Sequence, residues 1–474
     1  MYNYTVMMNK RCYLSLFLGC LIGFIAIGCQ KEEDNFETPT SDNGKVNQWI
    51  DNAMREDYLW NDDLPGKSSL DFEASPETFF TSLLSSKDGK KLSDGSHHYF
   101  STIEKTPTSK ARAVSEENSY GFEYILYSIK DQNYYYARVL YVLPGSPAAE
   151  SGLKRGDWII EINGQKIHAS STSLQYGGSI RCTLGTLRLT EEGKSYAIAK
   201  SGEIIIGASR SIANHPILKD SVYHIGGKTI GYLCYNHFTS GPTGFDDHTY
   251  ENELKDVIGK MKSQHVTEFI IDLRYNGGGN LATLQLLGSM LVPPQNLNDI
   301  FLIKENNKGE KTDVDFIREV PNLNLTNLYA ITGRYTASAS EALINGLFPY
   351  MDVTLIGSTT IGKNVGSTLH RNEKLGWNIW PITMKLYNSQ MESDYEDGFK
   401  IEKYRYFADE MSLSINDNFK ELGDTKEMLL SHTLNIIGVQ STSQSKVRNA
   451  GTPEDIQPFY SSLERKTEFG KLYK

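Results

Sequence analysis

Phe269-Ile270-Ile271-Asp272-Leu273-Arg274-Tyr275-Asn276-Gly277-Gly278-Gly279-Asn280 is an uncharged apolar run that breaks into a charged turn and three consecutive glycines. A short apolar run without alternation reads as a strand buried on both faces, as in a parallel sheet. The glycines let the backbone turn sharply and bring its N–H groups close to a ligand. Such donors suit a developing oxyanion, and a plain tight turn would use the same residues.

The surroundings repeat the pattern. Thr229 to Tyr235, Leu328 to Thr332 and Val353 to Ile356 read as further strands. Leu254, Val257, Ile258 and Met261 fall on one helical face, which predicts a helix over 250–263, and Glu341 to Leu347 predicts another. A last helix is expected over 423–436, started by Gly423-Asp424. Strand, helix, strand order implies a layered α/β unit with parallel pairs.

Two more clusters in this region carry chemistry. Thr336-Ala337-Ser338-Ala339-Ser340-Glu341 places small residues and two hydroxyls at a helix start. The helix dipole favours negative charge there, although an N-cap Ser would look the same. Gly357 to Lys363 fits the opening of a phosphate loop, but Asn364 stands where a Ser or Thr should hold Mg²⁺, so nucleotide binding is not expected.

Upstream, the text changes to short strands. Asn133 to Leu143 is rich in Tyr, Val and Leu. Pro144-Gly145-Ser146-Pro147-Ala148-Ala149-Glu150-Ser151-Gly152-Leu153 then supplies a Pro for a helix first turn and a Gly for its end. Gly156-Asp157, the strand Trp158 to Ile162 and the hairpin signal Asn163-Gly164 follow. This ordered motif closely resembles a PDZ domain. The resemblance implies a loop donating N–H groups to a peptide carboxylate while the peptide adds a strand. Tyr120-Gly121-Phe122-Glu123 matches that loop, which makes Gly121 and Phe122 candidate substrate-binding residues, with Gly278 in the core. A purely structural β domain is the alternative.

The combination of DLR-x-N-GGG, then Ser-Ala-Ser-Glu, then Gly-Lys with the Lys 25 residues after the first Ser, behind a PDZ-like segment, resembles the C-terminal processing (tail-specific) serine peptidases. The resemblance covers about residues 115–436. It implies a crotonase-like core, Ser338 as nucleophile, Lys363 as general base, and oxyanion donors on the N–H groups of Ala339 and a glycine of 277–279, best Gly279. Ser340 is the competing nucleophile. Many family members carry a Gln four residues after the Lys; Ser367 stands there, a shorter third member, and His370 lies close by in sequence. A Lys has an ordinary pKa of about 10.4, so service as a base near neutrality needs a fall of roughly 3 units, about 4 kcal/mol.

The N-terminus has its own grammar. Lys10-Arg11 precede an uncharged apolar run, Cys12 to Gly28, that ends Ile25-Ala26-Ile27-Gly28-Cys29. This is a signal-peptide layout and resembles a bacterial lipobox, implying cleavage before Cys29 and its lipidation; an uncleaved anchor is the alternative. Gln30-Lys31-Glu32-Glu33-Asp34 resembles a surface-export signal. The expected product is an exported lipoprotein of the cell envelope, at the outer membrane, periplasmic or surface-facing.

Composition sets outer bounds. A chain of 474 residues has room for about three domains. With 39% hydrophobic residues, 28 Tyr and 19 Phe it can bury real cores, and a net charge of −10 argues against nucleic-acid binding. Beyond the leader and Cys29, only Cys182 and Cys234 remain, with no metal-type spacing, and both read as core. The adjacent His97-His98 cannot both face one metal from a helix. No metal or cofactor is expected.

The expected organisation is an α/β multidomain chain: signal peptide 1–28, acidic linker 29–43, N-terminal helical region 44–106, PDZ domain 115–206, peptidase core 207–436 and a flexible, Ser-, Thr- and Lys-rich tail 437–474. The expected activity is a Ser/Lys endopeptidase acting on proteins or peptides, recruited through their C-termini. The competing readings are a non-catalytic binding lipoprotein on the same scaffold and an esterase-like hydrolase. Oligomeric state is not readable from these residues.

Overall fold

The computed structural model describes residues 40–91, 95–106, 116–168, 173–189, 196–244, 246–400, 406–407, 419–439, 456–465 and 472–473. The leader and Cys29 lie outside them. No helix among the described residues is long and apolar enough to cross a membrane. The architecture is mixed α/β, with an N-terminal helical segment, a PDZ-like β unit and a layered core.

The core sheet runs in the order Ile217–Ile225, Lys228–Tyr235, Glu268–Asp272, Asn327–Thr332, Asp352–Gly357, Tyr406–Phe407. Its first pair is antiparallel and all the others are parallel. Side chains alternate between faces, and both faces are buried. Leu233, Phe269, Ile271, Leu328, Ala330 and Leu355 pack beneath the helices Thr249–Ser263, Leu281–Leu291 and Ala339–Leu347. Ile230, Tyr232, Cys234, Ile270, Ile331 and Ile356 meet Leu429, Leu430 and Leu434 of the helix Met428–Ile436. This two-sided burial is why the strands read as continuous apolar runs. The last helix starts later than the sequence suggests, because residues 424–427 form a turn and the Glu427 carboxylate, accepting from Leu430 N–H, is the N-cap.

A second sheet closes the far side of the helices, in the order Gly279–Asn280, Leu472–Tyr473, Val365–Ser367, Ile382–Asn388, Ile300–Glu305, Lys311–Asp315. Leu302, Met384 and Leu386 bring it into the same apolar core. The PDZ-like sheet is separate and antiparallel throughout, in the order Ile456–Ser461, Phe122–Ile129, Tyr135–Val142, Trp158–Ile162, Ile180–Leu189, Tyr196–Ile206. Asn163 and Gly164 both take positive φ, 52° and 77°, as a primed hairpin turn requires. One expectation needs correction here. Residues 456–465, read as part of a flexible tail, form an edge strand and a 3-10 turn, anchored by the buried Ile456 and Leu463.

The N-terminal helices Asp42–Asp57 and Pro76–Ser82 begin at Ser41 and Ser75, whose hydroxyls accept the first free N–H groups. Their Ile50, Met54, Phe79 and Phe80 pack with Val365, Trp377, Ile379 and Ile382, and strand Thr102–Lys105 pairs with Trp377–Trp380. The N-terminal segment is thereby fixed onto the sheet that carries residues 365–367.

Partly buried histidines give a pH signature. His432, on the last helix, has its pKa lowered by burial, and so does His370, against the opposing pull of Asp57 and Glu56. A folded pKa below the unfolded value of 6.5 means that the unfolded chain binds protons first as pH falls. Stability is therefore expected to drop on acidification below about pH 6.5. Melting curves between pH 7 and 5 check this, and His432→Asn should flatten the dependence.

Candidate active site

The glycine loop is shaped before any ligand arrives. The Asn276 side chain donates to Tyr235 C=O (2.9 Å) and accepts from Gly278 N–H (2.9 Å). Gly278 C=O accepts from Phe238 N–H at 2.9 Å, so both backbone groups of Gly278 are committed inside the protein. Any role of Gly278 toward substrate rests on its missing side chain. At Gly279, φ is 138°, and a Cβ would sit 2.0 Å from Phe238 C=O, so only glycine fits. Asn280 then caps the helix Leu281–Leu291 through Ala282 N–H.

The serine turn is tied to this loop. Asn276 C=O accepts from Ala337 N–H (3.1 Å) and from Ser340 Oγ (3.1 Å). The Ser340 hydroxyl is thus engaged as a structural donor. Ser338 has φ 60° and ψ −113°, a conformation rarely tolerated by a residue with a side chain, costing on the order of 1–3 kcal/mol. It is 0% exposed, and its Oγ takes no hydrogen-bond partner among the described residues. Ala339 follows as the first helical residue, where N–H groups have no intrahelical acceptor.

Glu341, three residues beyond Ser338, joins the two candidate catalytic segments. Its carboxylate accepts from Ser338 N–H (2.9 Å), Lys363 N–H (2.7 Å), Gly362 N–H (2.6 Å) and Thr360 Oγ1 (2.5 Å). Burial pushes the Glu341 carboxyl up, and these four donors pull it back. The Ser-x-x-Glu spacing is a capping-box signal, and the Glu341 half of that box is the one the hydrogen bonds make. Glu341→Gln puts an NH₂ where N–H donors converge. We expect it to cost about 1–3 kcal/mol of stability per donor left unpaired, and to lower turnover by loosening both segments. Chemical denaturation and peptide turnover measured together check this.

Lys363 is 1% exposed, in surroundings where a charged amine loses its hydration. Its Nζ lies 4.9 Å from the ring centroid of Phe100, contributed by the N-terminal segment. His98 lies close by: its pKa is lowered first by partial burial and then by the Lys363 charge, although much of its surface faces solvent. Ser338 Oγ and Lys363 Nζ are not hydrogen-bonded in this structure; catalytic pairs often close only around substrate. Ser367 is buried in the strand Val365–Ser367. His370 instead faces Asp57 of the first helix, with 3.2 Å between Nε2 and the carboxylate. Neither Phe100 nor His98 was legible as a site residue, since tertiary contacts, among them the pairing of Thr102–Lys105 with Trp377–Trp380 and the Ile382 N–H donated to Ser101 Oγ, bring them here. The Gly357–Lys363 run leads into a strand, not the helix a phosphate loop needs.

In the PDZ-like unit, Gly121 N–H donates to Ser119 Oγ (2.9 Å), and Gly121 C=O accepts from Leu143 N–H (2.8 Å). The Phe122 ring is buried in the local core. These two candidate substrate-binding residues are therefore engaged inside the protein. A buried ion network joins this unit to the glycine loop. Arg274 donates to Asp272 (2.9 and 2.8 Å) and Glu427 (2.7 and 3.1 Å), and Arg155 lies 3.5 Å from Glu427 and donates to Tyr275 Oη.

Comparison with known proteins classifies the chain. Family models match the peptidase S41 N-terminal domain over residues 45–102, a PDZ domain over 138–181 and peptidase family S41 over 229–400. The chain is 33% identical to an S41 protease of Bacteroides fragilis, with 83% of this chain and 98% of that one aligned at a TM-score of 0.72. It is 27% identical over 264 residues to the carboxy-terminal processing protease CtpA of Bacillus subtilis, covering 55% of this chain and 51% of the relative. It is 25% identical over 239 residues to a carboxyl-terminal-processing protease of Picosynechococcus sp., covering 49% and 51%. The chain thus spans about half the length of these curated relatives. The match to the Bacteroides protein, 33% identical and spanning 98% of its length, decides the classification: this chain belongs to peptidase family S41.

Proposed function

We propose that this chain is an exported, lipid-anchored serine endopeptidase that cleaves protein or peptide chains with Ser338 and Lys363. The single observation that carries the reading is the Glu341 carboxylate, which holds the backbones of Ser338 and Lys363 together while both residues are buried. The unpartnered Ser338 Oγ, on a strained turn at a helix start, is primed for attack, whereas Ser340 Oγ is already bonded.

In the proposed sequence the neutral Lys363 amine takes the Ser338 proton as Oγ bonds to the substrate carbonyl carbon. The N–H groups of Ala339 and Gly279 hold the resulting oxyanion. As the C–N bond breaks, the Lys363 ammonium returns the proton to the leaving amine. Water, activated by the same amine, then hydrolyses the acyl-enzyme. Ser367 is the proposed third member that orients the amine. Cys29 is the proposed lipid attachment point, with the body at the outer membrane.

Cleavage of an unfolded protein substrate by the parent, beside Ser338→Ala and Lys363→Ala, tests the dyad; equal rates in all three reject it. Ser367 in place of the usual Gln, and a Ser338 Oγ without a hydrogen-bond partner among the described residues, give a non-catalytic peptide-binding role as the second reading. Peptide binding without cleavage in the parent chain would favour that role.

A further inference from the structure

Two strand edges, one leading out of the Gly121 loop and one at the glycine loop, are each taken by a later segment of this chain. Phe122–Ile129, the strand leading out of the Gly121 loop, has Tyr135–Val142 on one side. On its other side lies Ile456–Ser461, antiparallel, with Ile456 opposite Ile129 and Ser461 opposite Ile125. The polarity is that of an added peptide strand, its C-terminal end toward the loop. Ser462 Oγ goes further and accepts from Tyr124 N–H at 2.8 Å, while it donates to the Glu123 carboxylate. Pro458 is suited to such an edge position, because it offers no N–H to a further strand.

The second edge is catalytic. Leu472–Tyr473 pairs in parallel with Gly279–Asn280, Leu472 opposite the proposed oxyanion glycine, and Tyr473 lies opposite Ser367. With the chain in this arrangement Ser338 and Lys363 are 0% and 1% exposed. An extended substrate pairing at the proposed oxyanion glycine would take the place that Leu472–Tyr473 holds.

We propose that segments Ile456–Ser461 and Leu472–Tyr473 are resident occupants of the PDZ-like strand edge and the catalytic groove, and that a substrate peptide enters by displacing them. The chain is then self-inhibited, and apparent substrate affinity is reduced by the fraction of molecules whose edges are open. The groove part rests on the peptidase reading above; the strand-edge part does not.

A reversible staple tests it. Ser128 and Gln457 are cross-strand partners at the surface, so Ser128→Cys with Gln457→Cys places two thiols opposite each other. The probe is a labelled ten-residue peptide with apolar residues at its free C-terminus. Binding is read by anisotropy in a Ser338→Ala background, with the parent chain under the same oxidant as control. Closing the staple should weaken binding at least about tenfold, and reductant should restore it. Ile456→Ala, which loosens the anchor while leaving the edge intact, should tighten binding in the uncrosslinked chain. Equal affinity with the staple open and closed overturns the proposal, as does a staple that mass measurement shows cannot form, or a peptide that binds no form of the chain. Peptide binding that follows the staple, together with no cleavage of any peptide by the chain that keeps Ser338 and Lys363, rejects the Ser338/Lys363 reading and leaves the strand occupancy standing.

Discussion

Ser338→Ala and Lys363→Met are each expected to lower kcat/KM by about 10⁴-fold, and the double variant to be no worse than either single one. The reason for the shared floor is that, in the proposed mechanism, nucleophile and base act in one step. Without the amine the hydroxyl keeps its proton, and without the hydroxyl the amine has no proton to take. The residual rate belongs to the oxyanion donors and to binding, which neither change touches. Lys363 lies 1% exposed with the Phe100 ring 4.9 Å from its Nζ. Met keeps the length and apolar character of that side chain and removes a group that is costly to bury. The variant should therefore be as stable as the parent or more so, the sign of a site held against its stability optimum. Since a base works only unprotonated, parent turnover should climb with pH until Lys363 is neutral. Steady-state kinetics on a quenched peptide, with melting curves on the same samples, check all of this. Additive losses in the double variant would mean that the two residues act separately.

The core was legible because two-sided burial leaves a direct mark on sequence. Phe269 to Ile271 and Leu328 to Ile331 run without polar alternation, and both lie in the parallel part of the sheet. The glycine loop was legible for a steric reason, since a side chain at position 279 would collide with Phe238 C=O. The reach of the N-terminal segment was not legible. Phe100 and His98 carry no local signal of catalysis, and they come to Lys363 through pairing and packing across about 275 residues of chain. Glu341 is an intermediate case. Its spacing from Ser338 announced a cap, but its grip on Thr360, Gly362 and Lys363 is tertiary. Residues 456–461 escaped because an added edge strand borrows its order from the strand it joins. One buried apolar anchor, Ile456, beside an exposed Phe459 is too little for a periodicity argument.

Arg274→Met is expected to destabilise the fold by about 3–5 kcal/mol, and turnover should fall with it. Arg274 is 2% exposed and is the bidentate partner of both Asp272 and Glu427. Tyr232 Oη also donates to Asp272 (2.8 Å), and Arg155 lies 3.5 Å from Glu427. The set is two carboxylates and two guanidiniums, all buried. Deleting Arg274 leaves the carboxylates with one distant cation between them, and an uncompensated buried charge is what makes a broken buried pair costly. At about 2–4 °C per kcal/mol for a domain of this size, the melting temperature should fall by roughly 6–20 °C. The effect on turnover follows from position. Asp272 ends the strand Glu268–Asp272, and Tyr275, Asn276 and the glycines follow Arg274 directly, so the network holds the stem of the loop whose tip offers Gly279. Lys in place of Arg keeps the charge but cannot bridge two carboxylates with one planar fork. Arg274→Lys should therefore recover only part of the stability. It should also leave KM and kcat both impaired, whereas a network that served stability alone would give a Lys variant with parental kinetics below its melting point.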